Sequence, residues 1–313
     1  MRPSMTTSKL VRFCPLFLPL LLWLSGFQSA LAQSQLTNLS TRVRLQTPFP
    51  SDLAAAGFTI TGTGSSSKKV ILRALGTTLA NPPPMTPLFT FAEVLTDPFL
   101  TLFGCASCPL MNDDWYFPGT ASMAYFSAFY ALPPMLPAPP PPIHAESAIV
   151  ELLPTGPYTA TMESNNFPGT HLGFGLVEVY DLDPTVGRVV NLSTRAFVGT
   201  GDARVIAGFI LMGVGEERIV LRGLGPSVGV PPSLADPTLE LRDSDGSLLL
   251  SNNNWRDNPV QAAELQALLL APPNDLEAGM VATLPSGAYT VLLAGNSNTT
   301  GIGLVEIYDV GPP

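Results

Sequence analysis

The 313-residue chain is 46% hydrophobic and only 12% charged, with 33 prolines and 27 glycines. That much apolar material excludes a disordered chain, and that much glycine and proline excludes a largely helical one. A formal charge of −9 repels nucleic acid phosphates and anionic lipid, and no basic patch with interleaved aromatic residues offsets it.

The first element in chain order is an export leader, residues 1–32. Lys9 and Arg12 precede an apolar run at 13–24, and Ala30 and Ala32 supply small residues for cleavage. Pro15 and Pro19 interrupt the run, which is shorter than the ~20 residues that a membrane-spanning helix needs. The expected product begins near Gln33, is extracellular or in the cell envelope, and has no spanning segment. An uncleaved anchor is the alternative.

Beyond the leader the chain is written twice. The block NLSTR begins at Asn38 and at Asn191, and VILRALG at Val70 matches IVLRGLG at Ile219. Asp97-Pro98 matches Asp236-Pro237, LPTGPYT at Leu153 matches LPSGAYT at Leu284, and GLVEVYD at Gly175 matches GLVEIYD at Gly303. The offset between copies falls from 153 residues at Asn38 to 128 at Tyr180, so the first copy carries insertions. Two are proline-rich, at 81–92 and 132–144, and read as surface loops, the second in extended polyproline conformation. The expected domains are 33–184 and 185–313, each of ordinary domain size.

Within the first copy, segments 58–61, 69–75, 99–103, 148–152, 158–162 and 174–180 read as strands, being short, β-branched or aromatic, and bounded by turn residues. The Leu-Pro-x-Gly-x-Tyr-Thr blocks read as turns feeding strands. One helix per copy is expected. In the second copy Asn258-Pro259 is a cap with proline at the first helical position, leading into 260–271. Its counterpart is 120–132. The predicted fold is therefore all-β, two tandem antiparallel β-sandwich domains of jelly-roll type, each with a short helix in a loop.

The run DPTLELRDSDG from Asp236, then Asn254-Trp255, then LPSGAYTV from Leu284, resembles the bacterial pre-peptidase C-terminal type of β-sandwich. The whole unit also resembles tandem domains of uncharacterised secreted bacterial proteins. The likeness spans most of 37–311. It implies a non-catalytic accessory module; some relatives bind collagen or carbohydrate and some hold calcium. No peptidase accompanies the module in these 313 residues, which leaves that role without its usual client.

Candidate sites are few. His144 and His171 are the only histidines, both in loops of the first copy, so a Ser-His-Asp or Cys-His engine has little to work with and no zinc spacing exists. Arg73 and Arg222 recur inside apolar strands, as do Glu178 and Glu306. A structural reading pairs them as Arg–Glu ion pairs that fix strand register; a catalytic reading takes the carboxylates as a glycosidase pair. Asp97, Asp113 and Asp114 in the first copy, and Asp243, Asp245 and Asp257 in the second, are hard oxygen ligands suited to Ca2+, the one cofactor considered; the alternative is polar loops capped by their own side chains. Trp115, Tyr116, Phe117 and Tyr130 form a candidate ligand platform in the enlarged loops, or simply pack them. Cys105 and Cys108 flank a bend where the second copy has the turn sequence DSDGS; export favours a disulfide, against a redox or metal site. These readings point to a secreted, non-enzymatic surface or matrix module binding glycan or protein. The alternatives are a carboxylate-using carbohydrate-active enzyme and a purely architectural subunit.

Overall fold

The computed structural model describes residues 34–46, 53–62, 67–80, 89–115, 145–165, 172–183 and 185–312. Residues 1–33, most of the 81–92 loop, the 132–144 loop, the expected helix at 120–132, Tyr116, Phe117, Tyr130, His144 and His171 lie outside the described residues.

The first copy contributes β1 (Gln35–Arg44), β2 (Ala54–Thr61), β3 (Lys68–Leu75), α1 (Thr77–Ala80), β4 (Pro98–Phe103), β5 (Leu110–Asn112), β6 (Ser147–Leu153), β7 (Gly156–Ser164) and β8 (Phe174–Asp181). The second contributes β9 (Arg188–Val198), β10 (Val205–Leu224), β11 (Pro237–Arg242), β12 (Leu248–Asn252), α2 (Pro259–Ala267), β13 (Ala278–Gly295) and β14 (Gly301–Asp309). The six segments read as strands in the first copy each fall within one of these. Asn258 caps α2 as expected, its Oδ1 accepting from the backbone of Val260 at 3.0 Å and of Gln261 at 3.3 Å.

Each β10-like and β13-like ribbon serves two neighbourhoods. The first half of β10 pairs with β1 and with the end of β13; its second half pairs with β14 and the start of β13. The register shifts between Leu211 and Glu216, where Gly213 and Gly215 take positive φ and let the strand bend. The first copy makes the same ribbons as separate strands, β2 then β3 and β6 then β7.

All-β antiparallel architecture is thus present, but the two copies do not stand apart. β1 lies between β8 of its own copy and β10 of the other. β9, its counterpart, lies between β14 of its own copy and β2 of the other. The result is two facing rows of strands, β5-β4-β7-β2-β9-β14-β10-β13 and β12-β11-β13-β10-β1-β8-β3-β6. They join through β10 and β13 into a nearly closed barrel. Residues 32–313 form one compact unit.

The two rows enclose one main core. It takes alternate residues from both copies, including Leu39, Phe58, Leu72, Leu102, Val179, Leu192, Phe209, Leu221 and Ile307. Equivalent residues meet at its middle: the hydroxyls of Thr41 and Thr194, both buried, hydrogen-bond each other at 2.7 Å. A residue touching its own counterpart marks an approximate two-fold axis between the copies. Phe58 stacks on Tyr158 at 5.4 Å and Phe209 on Tyr289 at 5.2 Å, one pair on each side of the axis.

Candidate functional site

On the outer face of each copy a small second cluster packs against the sheet. In the first it holds Ile71, Ala148, Val150, Tyr180 and Leu182, with Trp115 beside them. In the second it holds Val220, Trp255, Leu265 and Val281 beneath α2. The Arg–Glu pairs lie here. Arg73 stands opposite Glu178 in the β3–β8 ladder, and Arg222 opposite Glu306 in the β10–β14 ladder. The Nε of Arg73 donates to Glu178 Oε2 at 2.8 Å, and the Nε of Arg222 donates to Glu306 Oε2 at 2.7 Å; one terminal nitrogen of each guanidinium donates to the same oxygen. The remaining carboxylate oxygen accepts from a tyrosine two residues on, Tyr180 at 2.9 Å and Tyr308 at 3.0 Å. Each guanidinium also lies over that tyrosine ring, at 5.3 and 5.4 Å.

The electrostatics follow from this enclosure. Burial alone would lower Arg73, but Glu178 and Tyr180 reverse that and hold its pKa above the ordinary value. Burial and the adjacent Glu306 push the Tyr308 hydroxyl up to about 12, and Tyr180 is raised for the same reasons. Both glutamates are less than one-tenth exposed and both of their oxygens are engaged.

The acidic loops differ between copies. Asp97, Asp113 and Asp114 come together: burial, then the charges of Asp113 and Asp114, raise the Asp97 carboxyl to about 6. Asn165 donates to Asp113 Oδ1 at 2.7 Å. Asp243, Asp245 and Asp257 do not come together. Asp243 caps its own hairpin, accepting from the backbone of Asp245 at 3.0 Å and Ser247 at 2.8 Å. Asp257 follows the far end of β12, a five-residue strand, on the order of 15 Å away. Among the described residues no three His, Cys, Asp or Glu side chains converge on a metal position. The second copy's counterparts of the first acidic cluster are Asp236, Asn253 and Asn254. One oxygen of each is buried without a hydrogen-bond partner. Beside them runs a shallow groove of about 470 Å3, lined by Thr238, Glu240, Ser251, Asn252, Asn253 and Asp257.

Of the aromatic platform only Trp115 is described. It is half-buried against the outer cluster, with its backbone N–H on Glu146 O at 2.9 Å. Cys105 and Cys108 are joined, sulfur to sulfur at 1.96 Å, across a turn closed by Cys108 N–H on Cys105 O at 3.1 Å.

Two functional-looking carboxylates escaped sequence reasoning. Glu146 and Glu277, fully buried counterparts, each bind the turn after the VLRGLG-type strand. Glu146 accepts from the backbone N–H of Gly76 and Thr78 at 2.8 Å; Glu277 accepts from Gly225 and Ser227 at 2.9 Å. Their recurrence just before β6 and β13 was the signal to follow. These are structural caps: each satisfies donors that would otherwise be buried unpaired.

No family model matches the chain and no curated protein matches it. Solved structures give only distant likenesses. The STIV MCP is 12% identical over 88% of this chain and 95% of its own, with a TM-score of 0.21. A DUF4785 family protein from Legionella pneumophila is 8% identical over 89% and 81%, with a TM-score of 0.23, and PNGF-II is 11% identical over 89% and 57%, with a TM-score of 0.21. Likenesses this remote carry no argument about what the chain does.

Proposed function

We propose that the chain is an exported, non-catalytic module that binds glycan or an extracellular protein, built from two copies of one β-sandwich unit. The observation that supports this most is the second copy's polar groove. Asn253 lines it, and the buried Oδ1 of Asn253 accepts from no donor among the described residues. A buried acceptor without a donor favours a ligand that brings one, and sugar hydroxyls are donors of that kind. The carboxylate-enzyme reading has less support, because both oxygens of Glu178 and of Glu306 are already held by an arginine and a tyrosine.

The test is a glycan and matrix-protein array probed with the chain from Gln33 and with its Asn253→Ala and Asp257→Asn variants. The proposal expects binding that both variants weaken about tenfold or more, one lost hydrogen bond to a charged or buried group being worth roughly that. Binding that survives both variants contradicts the groove. Polysaccharide turnover that disappears in Glu178→Gln or Glu306→Gln overturns the non-enzymatic reading. Calcium at Asp97, Asp113 and Asp114 has less support, because their charges interact but no three carboxylates among the described residues converge on a metal position. An equal melting temperature in excess calcium and in chelator removes it.

A further inference from the structure

Position 68 of the first copy corresponds to position 217 of the second. Lys68 pairs across the ladder with Leu153, and Glu217 with Leu284. In the first copy Lys68 binds Asp181 and also donates to Asp183 O at 2.8 Å, so one buried cation meets one buried anion. In the second copy the lysine has become Glu217, while Asp309 stands where Asp181 does. The cation now comes from Arg188 at the start of β9. Its Nη2 donates to Glu217 Oε1 at 3.0 Å and to Asp309 Oδ2 at 2.6 Å. Both acidic side chains are at most 1% exposed, so two buried carboxyl groups share one guanidinium. Asp309 Oδ1 accepts from Gly311 N–H at 3.0 Å, but Glu217 Oε2 has no hydrogen-bond donor among the described residues.

We propose that this cluster binds one proton, held between Glu217 and Asp309, and that its release to solvent loosens the seam where the two copies join. One proton makes the charge balance that of the first copy, and it turns Glu217 Oε2–H into a donor toward the Asp309 carboxylate. Two carboxylates in hydrogen-bonding reach cannot both ionise cheaply in a buried site. Burial first, then Asp309, raise the Glu217 carboxyl to about 7, against the lowering effect of Arg188. Arg188 itself is held above its ordinary value by Asp309 and Glu217, despite its burial. Among the described residues the charged groups acting on Glu217 are those two. β13 opposite brings Leu284, and β2 brings Thr61 to Arg188. The Thr61–Arg188 pairing is the end of the β2–β9 seam; next to Glu217, Arg218 N–H donates to Gly311 O and Arg218 O accepts from Val310 N–H, both at 3.0 Å.

The sign of the effect is set by the raised acid. The folded chain holds the proton more tightly than the unfolded one, so the stabilisation is complete below the ordinary glutamate range. It is lost as pH rises through about 7. Melting curves of the chain from Gln33 between pH 5.5 and 8.5, recorded in chelator and in an Asp97→Asn background to remove the carboxyl raised to about 6, test it. The melting temperature should fall by roughly 5 °C as pH rises through neutrality. Glu217→Gln, a permanent neutral donor, should flatten that fall and melt higher than its parent at pH 8. The double change Arg188→Gln, Glu217→Lys installs the first copy's residues (Gln35 and Lys68) and should flatten it too. Either variant melting with the same pH slope as the parent overturns the proposal, and the double variant decides the matter if Glu217→Gln fails to fold.

Discussion

Arg222 and Glu306 meet across neighbouring strands in a site that excludes most water, and Tyr308 closes the third side. Removing one partner leaves the other charge poorly solvated, which costs about 3 kcal/mol in a typical buried pair. Removing both removes the conflict. Arg222→Met and Glu306→Gln should therefore each destabilise, and the double variant should lose less than their sum by about 1 kcal/mol or more in urea unfolding. Additive losses contradict the pairing. The same residues were readable in the sequence because a charge repeated inside an apolar strand needs a partner and both copies supplied one. Glu146 and Glu277 are less readable. Their partners are backbone N–H groups 50 to 70 residues earlier in the chain, so the one signal is that the glutamate recurs before β6 and β13.

At the scale of elements the sequence was legible where side chains alternate and obscure where they do not. The VILRAL and PFLTLF segments announce strands through β-branched and aromatic residues, and they form β3 and β4. β1 and β9 were recognised as repeated blocks but not as strands. Their buried faces include Thr37, Asn38, Thr41 and Thr194, polar residues that hide the usual alternation. The Ala54-Ala-Ala-Gly57 start of β2 was missed for a related reason: small residues carry little strand preference, and here they lie under close packing. At Gly57 an added Cβ would sit 2.5 Å from Ser193 Oγ, and at Gly208 2.6 Å from Ser40 Oγ, so the two seams need the same small residue. The hairpins β4–β5 and β11–β12 show two chemistries for one bend, a Cys105–Cys108 bond in the first and an Asp243 cap in the second. So short a disulfide loop contributes about 2 kcal/mol. Thiol labelling of the native chain from Gln33 should find no free cysteine before reduction and two after, with melting lowered by reduction alone. Two labelled thiols in the unreduced protein contradict the bond.

For the whole molecule, a repeat in sequence does not say whether copies stand side by side or share their sheets. That depends on which edge each strand meets, and an edge is set by contacts some 150 residues apart. The present structure resolves it through β1 and β9, each inserted between its own copy and the other, with Thr41 on Thr194 at the axis. Two copies that share both rows of strands should unfold together. From Gln33 onward the chain has one tryptophan per copy, Trp115 in the first and Trp255 in the second. Urea unfolding of Trp115→Phe, followed by Trp255 fluorescence, and of Trp255→Phe, followed by Trp115, therefore watches each copy separately against far-UV dichroism of the same sample. The account predicts that in each variant the fluorescence and dichroism transitions coincide in a single step. A transition in which one copy's tryptophan reports native structure after the other half of the dichroism signal is lost would contradict the shared sheet.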